Sequence, residues 1–248
     1  MLVRLARDLS NFIYPPCCAV CRSVTRDTDE AFCEKCKSAM SELAAAPACP
    51  LCAAPIPEGS ACPFCAGAGV APFELIVALG PFREPLRKMV HEMKYRHRWP
   101  VAEILADAMC AEPRVRKLLD ETDVLIPIPL HWSRQIQRGY NQADTLARRL
   151  ARRCRSVCVE YPIVRLKNTS AQTQVRSAAD RAANLRFAFG LIDGRSISGK
   201  RVALVDDVVT TGSTLKAAAR AVREASPASI SAIAVAVADP KRRDFQTV

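Results

Sequence analysis

The chain has 248 residues, twelve of them cysteine, and a formal net charge of +11 at pH 7. Its length allows one sizeable domain and one small one. The first fourteen residues form a short amphipathic pattern and not the continuous apolar core of a secretory signal. The longest later apolar run, 230–238, is too short to cross a bilayer. We therefore expect a cytoplasmic protein without a membrane span.

The first 65 residues hold nine of the twelve cysteines and contain four Cys-x-x-Cys pairs. The paired residues are Cys18, Cys21, Cys33, Cys36, Cys49, Cys52, Cys62 and Cys65. Two such pairs complete a four-cysteine zinc site, so this spacing predicts two structural Zn²⁺ ions. Disulfides are the alternative, but they need an oxidising compartment.

Two details of the zinc region stay open. Cys17 could take the place of Cys18, although the two-residue spacing favours Cys18. The pairs could also brace one another across the region, in place of forming two successive ribbons. The cysteine density stops before a Gly- and Ala-rich linker, which divides the chain into a double zinc-ribbon domain, 1–70, and a second domain, 71–248.

The second domain alternates strand and helix patterns. Strands are predicted at 75–79, 124–128, 157–161, 202–205 and 230–237, and helices at 84–95, 100–109, 141–154 and 215–225. This alternation is typical of an α/β fold with a mainly parallel sheet flanked by helices, whose ligand lies at the carboxyl ends of the strands. Cys110, Cys154 and Cys158 lie in apolar periodic segments, and we expect them to be core thiols.

The most informative segment is 202–214. Four apolar residues precede Asp206 and Asp207, and the loop Thr210-Thr211-Gly212-Ser213-Thr214 follows two residues later. The apolar run predicts a buried parallel strand, and the carboxylates stand where that strand should end. Because the hydroxyl-rich loop leads into a helix, it offers backbone N–H groups and a positive helix end to a phosphate.

The two acids indicate a sugar phosphate and not a phosphate alone. Like charges repel at close range, so a bare phosphate site would not have two carboxylates as neighbours. Carboxylates suit the vicinal hydroxyls of a ribose, and they suit Mg²⁺, which offsets their charge. An ordinary turn with a solvated acid pair is the alternative, but turn chemistry explains single residues and not the whole ordered run.

Basic residues cluster at 83–98 and again on the helix predicted at 141–154. The second cluster contains Arg148, Arg149, Arg152 and Arg153, and only Asp144 carries a negative charge on this stretch. A solvated helix face explains the spacing. The scarcity of acids also fits a footprint for a nucleic-acid backbone, which makes these arginines candidate DNA-binding residues.

With these parts in place, the chain resembles the ComF family of competence-associated, phosphoribosyltransferase-like proteins over nearly its full length. The motifs that carry the resemblance are Lys94-Tyr95, Ile126-Pro-Ile-Pro-Leu-His131, Arg138-Gly-Tyr-Asn-Gln142, Gln172-Thr173, Arg181, Asn184-Leu185, Phe189 and the segment 202–214. That last segment is similar to the phosphoribosyl pyrophosphate (PRPP) signature of type I phosphoribosyltransferases. The resemblance implies a double zinc ribbon followed by a type I phosphoribosyltransferase fold.

The resemblance also implies roles for individual residues. Asp206 and Asp207 would bind the ribose hydroxyls, directly or through Mg²⁺, and with Arg181 they are the candidate catalytic residues. Val208 and the loop 210–214 would hold PRPP by its 5′-phosphate. The segment after the strand at 124–128 resembles the pyrophosphate loop, where the expected contacts are Leu130, His131 and Arg134.

Some of these residues have simpler alternative roles. His131 could instead be a polar residue that starts a helical turn, and Asn141 fits the pattern of a helix N-cap.

The polar segment 167–184, which contains Arg181, occupies the position of the loop that closes over PRPP in related enzymes.

Three functions are compatible with these features. The leading hypothesis is a protein that binds PRPP with Mg²⁺ and acts with single-stranded DNA in natural transformation; as an enzyme it would be a phosphoribosyltransferase. The resemblance implies a competence helicase or other DNA-processing proteins as partners. The second hypothesis is a non-catalytic scaffold that senses a nucleotide and binds DNA. The third is a metabolic phosphoribosyltransferase with an unknown acceptor.

Overall fold

The computed structural model describes most of the chain. The described residues are 16–25, 31–65, 69–95, 99–154, 157–167 and 188–239. The predicted amphipathic segment at the start, Arg181 and most of the segment 167–184 lie outside these ranges. Within them, no helix is both long and apolar enough to cross a membrane.

The strands and helices are numbered in chain order. The strands are β1 Ile76–Pro81, β2 Val124–Pro127, β3 Cys158–Val159, β4 Ile163–Arg165, β5 Phe189–Leu191, β6 Arg201–Val209 and β7 Ser229–Val237. The helices are α1 Glu34–Ala44, α2 Leu86–Tyr95, α3 Trp99–Ala111, α4 Pro113–Asp120, α5 Trp132–Arg138, α6 Gln142–Arg153 and α7 Ser213–Arg223. Every strand and helix predicted after residue 70 is present, with shifted ends.

The elements that the sequence patterns missed are short or lie among the cysteines. The strands β4 and β5 have three residues each, α5 has seven and α4 has eight, so their periodicity is weak. Helix α1 lies in a region where the prolines indicated turns only, and it buries Cys36 and Met40 one turn apart on one face.

The core of the fold is a sheet of five parallel strands in the order β1-β7-β6-β2-β3. One face packs against α2, α3 and α6, and the other packs against α7. The strands β4 and β5 form a separate antiparallel pair that buries Ile163 and Phe189 in the same cluster as α7. Parallel strands buried on both faces explain the unbroken apolar runs of β6 and β7.

Strand β6 is longer than the sequence predicted. Its partner β2 ends at Pro127, opposite Val205, but β7 continues to pair with β6 as far as Val209. Asp206 and Asp207 therefore lie within the strand and not beyond its end. At their level β2 has ended, and among the described residues no strand pairs with β6 on that side. We call this the open side of β6.

The zinc region covers β1, the edge strand of the sheet. The backbone N–H of Ile76 donates to the carbonyl of Leu51 at 2.9 Å. A Cβ at Gly80 would lie only 3.2 Å from the carbonyl oxygen of Leu43, at the end of α1, so this close approach favours glycine. Arg114 of α4 donates to the carbonyl of Pro50 at 3.0 Å. An exposed edge strand can pair with other chains, and these contacts protect β1 from that.

The three remaining cysteines do not behave alike. Cys154 is buried, as expected of a core thiol, and Cys110 is partly buried. Cys158 is exposed, so the prediction that it lies in the core is wrong. Its strand β3 is the two-residue edge of the sheet, where one side faces solvent.

Candidate functional site

The acid pair lies at the open side of β6. The backbone N–H of Asp207 donates to Oδ1 of Asp206 at 2.8 Å. The Nζ atom of Lys94, in the last turn of α2, lies 3.1 Å from Oδ1 of Asp207, and these two side chains are only 8% and 13% exposed. Burial, followed by the neighbouring charge of Asp207, raises the pKa of Asp206 to about 7. A cation or a hydroxyl donor that reaches Asp206 would favour its charged form.

The loop after β6 is the predicted phosphate loop. Gly212 adopts a left-handed conformation with φ of 70° and is the N-cap residue of α7. The hydroxyl oxygens of Thr211 and Ser213 lie 2.7 Å apart. The first backbone N–H groups of a helix have no acceptor within the helix. The N–H of Ser213 donates to Oγ1 of Thr211 at 3.4 Å, which leaves the N–H of Thr214 to bind an anion. The structure thus brings the predicted phosphate loop directly after the acid pair.

The segment after β2 leads into α5. His131 is the N-cap residue of this helix: its Nδ1 accepts from the backbone N–H of Ser133 at 3.4 Å. This contact is the helix-start role that the sequence left open for His131. Leu130 and Arg134 are half-buried on either side of it. A pyrophosphate contact by these three residues stays a prediction.

Arg165 of β4 is a candidate site residue that the sequence patterns did not reveal. Burial lowers the pKa of its guanidinium, the nearby Arg134 lowers it further, and Asp206 raises it. Arg165 is therefore within electrostatic range of both Arg134 and Asp206. Its guanidinium also lies 5.4 Å from the ring centre of Phe189. A three-residue strand carries too little pattern to mark this arginine from sequence.

The motif at 138–142 connects three elements. Asn141 caps α6, as predicted, and its Nδ2 donates to the carbonyl of Ile128 at 3.0 Å. The hydroxyl of Tyr140 donates to the carbonyl of Met93 in α2. Burial raises the pKa of Tyr140 to about 12, which keeps this donor protonated. The motif thus fixes the end of β2 against α6 and α2.

The eight paired cysteines form two clusters. Cys18, Cys21, Cys33 and Cys36 make the first, and Cys49, Cys52, Cys62 and Cys65 make the second; within each, all ligand atoms lie within 4.8 Å of one another. The pairs therefore form two successive ribbons and do not brace one another, and Cys18, not Cys17, belongs to the first cluster.

The sulfur spacing fits zinc. The Sγ–Sγ distances are 3.6 Å for Cys21–Cys33, 3.5 Å for Cys49–Cys65 and 3.6 Å for Cys52–Cys62. Four thiolates placed tetrahedrally at about 2.3 Å from a zinc ion lie about 3.8 Å apart. Disulfide sulfurs would lie at about 2 Å, so these cysteines are not disulfide-bonded. Four protein ligands leave no open coordination position, which makes both sites structural.

Metal analysis of the reduced protein should give two zinc ions per chain, one for each cluster. Cys62→Ser should lower the value to about one, because a four-cysteine site loses a thiolate ligand. The matched control is Cys158→Ser, which removes an exposed thiol outside both clusters. Unchanged zinc content in the Cys62 variant would contradict the assignment.

The arginines of α6 are mostly engaged by carboxylates. Arg148 pairs with Asp144 at 2.9 Å, Arg149 with Glu103 at 3.2 Å and Arg153 with Asp107 at 2.9 Å. Two of these carboxylates belong to α3, so the sequence of α6 alone could not show them. Four arginines minus three acids leave a net charge of +1 on this face, which weakens the case for a DNA footprint there.

The chain matches two family models. These are the double zinc ribbon domain, over residues 9–66, and the phosphoribosyl transferase domain, over residues 137–246. Competence protein F of Haemophilus influenzae is 35% identical over 156 residues, which cover 61% of this chain and 68% of that protein. DNA utilization protein YhgH of Salmonella typhimurium is 30% identical over 205 residues, 81% of this chain and 88% of that protein.

Among solved structures, the purine phosphoribosyltransferase from Pyrococcus horikoshii Ot3 is 16% identical and covers 58% of this chain and 90% of its own, with a TM-score of 0.33. The family assignment does not depend on that overlap. It follows from the relative that spans most of both chains and from the two matched domains, which contain the cysteine clusters and the acid pair. The chain belongs to the ComF family, in which a double zinc ribbon precedes a type I phosphoribosyltransferase fold.

Proposed function

We propose that this protein binds PRPP together with Mg²⁺ and acts in the handling of incoming single-stranded DNA during natural transformation. The observation that carries the PRPP assignment is the acid pair on the open side of β6, followed immediately by the glycine-capped loop of α7. These two features support the proposal because ribose acceptors and a phosphate site would then lie on one continuous segment.

The acid pair is suited to hydroxyls and to a hard cation. The raised pKa of Asp206 indicates that two charged carboxylates are unfavourable here without a compensating ligand. Mg²⁺ prefers one or two carboxylates together with substrate phosphates, so Asp206 and Asp207 fit it when PRPP is bound. When bound, Mg²⁺ would offset the charge of the pyrophosphate group.

Arginines would bind the pyrophosphate group of PRPP. Arg134 follows β2, and Arg165 lies near both Arg134 and Asp206. Guanidinium groups bind phosphate oxygens well and remain charged at all physiological pH values. As an enzyme, the protein would let a nucleophile form a bond to C1 of the ribose while the bond from C1 to pyrophosphate breaks, and the arginines would stabilise the departing anion.

The assignment to DNA handling rests on the relatives. One carries the name Competence protein F and another the name DNA utilization protein YhgH. Zinc ligation by eight thiolates suits a reducing compartment, which supports a place in the cytoplasm. A competence helicase or another DNA-processing protein would be the partner that delivers or receives the strand.

Calorimetric titration of PRPP into the purified protein with Mg²⁺ tests the pocket. We expect saturable binding that is weaker for ribose 5-phosphate, because that ligand lacks the pyrophosphate group that Arg134 and Arg165 would hold. Failure of PRPP to bind would reject the pocket assignment. Release of pyrophosphate with an added acceptor would identify a transferase, and binding without release would favour the nucleotide-sensing scaffold.

The DNA contact of α6 has a separate test. Among the residues that the structure describes, Arg152 forms no ion pair, so it is the arginine of this face best placed to meet a phosphate. Arg152→Glu should weaken binding to single-stranded DNA and lower its salt slope by about 1. The control Arg223→Glu makes the same charge change on α7, at the other face of the sheet. Equal effects of both variants would mean that α6 is not the footprint.

A further inference from the structure

The last turn of α2 contacts three separate parts of the protein. Glu92 accepts from Arg22 of the first zinc ribbon at 3.0 Å. The carbonyl of Met93 accepts from Tyr140. Lys94 pairs with Asp207 at 3.1 Å. Consecutive residues of one helical turn thus meet the zinc region, the motif at 138–142 and the acid pair.

The ion pair between Lys94 and Asp207 is buried. Because both side chains are mostly removed from water, the pair is screened little and its geometry is well defined. Lys94 contacts Oδ1 of Asp207, so it fixes the orientation of the carboxylate while leaving the second oxygen for a ligand. The compact ammonium group is a monodentate partner, which suits this arrangement.

The ion pair between Glu92 and Arg22 joins the same helical turn to the first zinc ribbon. Glu92 is 8% exposed on its side chain, so this contact is also largely buried at the glutamate. Arg22 follows the zinc ligand Cys21, and its backbone N–H donates to the carbonyl of the ligand Cys18 at 3.0 Å. Its φ of 64° is unusual for a residue other than glycine, which shows that the ribbon holds it in a defined turn.

The packing supports the same connection. Cys18, Val20 and Cys36 of the first ribbon belong to one buried cluster with Met89 and Met93 of α2. Glu92 and Lys94 are two positions apart, about 200° around a helix, so they extend to opposite sides of it. A shift of the end of α2 caused by a change at Glu92 would therefore also move Lys94.

We propose that Lys94 is a positioning residue for Asp207, and that the ion pair between Arg22 and Glu92 ties this positioning to the first zinc ribbon. The inference rests on the proposed function, since it takes Asp207 as a ligand of the ribose or of Mg²⁺. It assigns the ribbon a role beyond folding, because the ribbon helps to set the geometry of the PRPP pocket.

The test is a mutant cycle read by titration of PRPP with Mg²⁺. Lys94→Met should lower the affinity for PRPP about tenfold or more, and Glu92→Gln should lower it about threefold. Both effects lie within the range of coupling between connected sites. The double variant should bind like Lys94→Met alone, because Glu92 acts through Lys94. Lys94→Arg should restore most of the affinity, since it keeps a charge next to Asp207.

Two further variants separate positioning from general damage. Arg22→Gln should reproduce Glu92→Gln, because it removes the other half of the same ion pair, and this pair of variants decides the matter if Lys94→Met does not fold. Arg201→Gln breaks an exposed ion pair at the far end of β6, in which a guanidinium nitrogen of Arg201 lies 2.7 Å from Oδ1 of Asp123. It should leave the PRPP affinity unchanged.

The proposal is overturned if Lys94→Met binds PRPP as the wild type does, or if the effects of Glu92→Gln and Lys94→Met multiply in the double variant. It is also overturned if Arg201→Gln lowers the affinity for PRPP as much as Glu92→Gln and Lys94→Met do. If the wild type binds no PRPP, the proposed function fails by itself. The same cycle read as denaturant midpoints then decides the inference: a non-additive shift supports the coupling through α2, and an additive one rejects it.

Discussion

Replacement of both acids, Asp206→Asn with Asp207→Asn, should remove saturable binding of PRPP in the presence of Mg²⁺. Hydrogen bonds to a charged group contribute about 1.5–3 kcal/mol each, so the loss of two charged acceptors should lower the affinity for PRPP by a factor of about 10²–10⁴. Calorimetric titration against the wild type measures this directly. Binding within a few-fold of the wild type would reject the acid pair as the ribose or Mg²⁺ ligand.

The matched control for this double variant removes a carboxylate elsewhere. Asp193 is half-exposed and pairs with Arg195, two residues further on, outside the pocket. Asp193→Asn should leave the PRPP affinity unchanged. A comparable loss in this control would mean that the effect of the double variant reflects net charge and not the site.

The acid pair should also leave a signature in the pH dependence of stability. The pKa of Asp206 is raised from 3.8 to about 7 on folding, so the folded chain binds this proton more tightly than the unfolded chain does. The resulting stability is present below the unfolded pKa and is lost as the pH rises through about 7. In Asp206→Asn, denaturant unfolding at successive pH values should lack this loss. An identical pH profile in the variant would contradict the raised pKa.

Removal of zinc should have the second large effect. The buried hydrophobic residues of the ribbons are mainly the cysteines themselves, with few large side chains such as Val20 and Met40. Structural zinc in small ribbons contributes about 10–16 kcal/mol of apparent binding free energy, which is folding free energy for a region with so small a core. We therefore expect a strong chelator to unfold the ribbons under conditions in which the zinc-loaded protein is stable.

The consequences should reach β1. The strand loses the backbone contact between Ile76 and Leu51 when the second ribbon unfolds, and its edge becomes open to other chains. Hydrogen exchange should increase at the backbone amides of residues 76–80, and the protein should aggregate on warming. Excess zinc should return the exchange rates to those of the zinc-loaded protein, and this recovery serves as the control. Unchanged exchange and thermal midpoint after complete metal removal would show that the ribbons fold without zinc.

Short-range spacing explains why much of the site could be predicted from the sequence. The Cys-x-x-Cys pairs carry their chemistry within four residues, and the two clusters formed as the spacing predicted. The apolar run of β6, the acids and the hydroxyl-rich loop lie on one continuous segment, so strand, carboxylates and helix start follow in the same order in the fold. The alternating pattern after residue 70 likewise predicted the parallel sheet, because each buried strand carries its own apolar run.

The tertiary structure decided what depends on residues far apart in the chain. Lys94 meets Asp207 only because α2 packs on the face of the sheet where that carboxylate lies. The charge of the α6 arginines was overestimated because Glu103 and Asp107 come from α3, more than forty residues earlier. Packing and strand register set these contacts, and neither is encoded in the local pattern of a single element. The sequence by itself determined the two cysteine clusters and the order of strand, acid pair and hydroxyl-rich loop. The packing of helices on the sheet decided which charges pair around them.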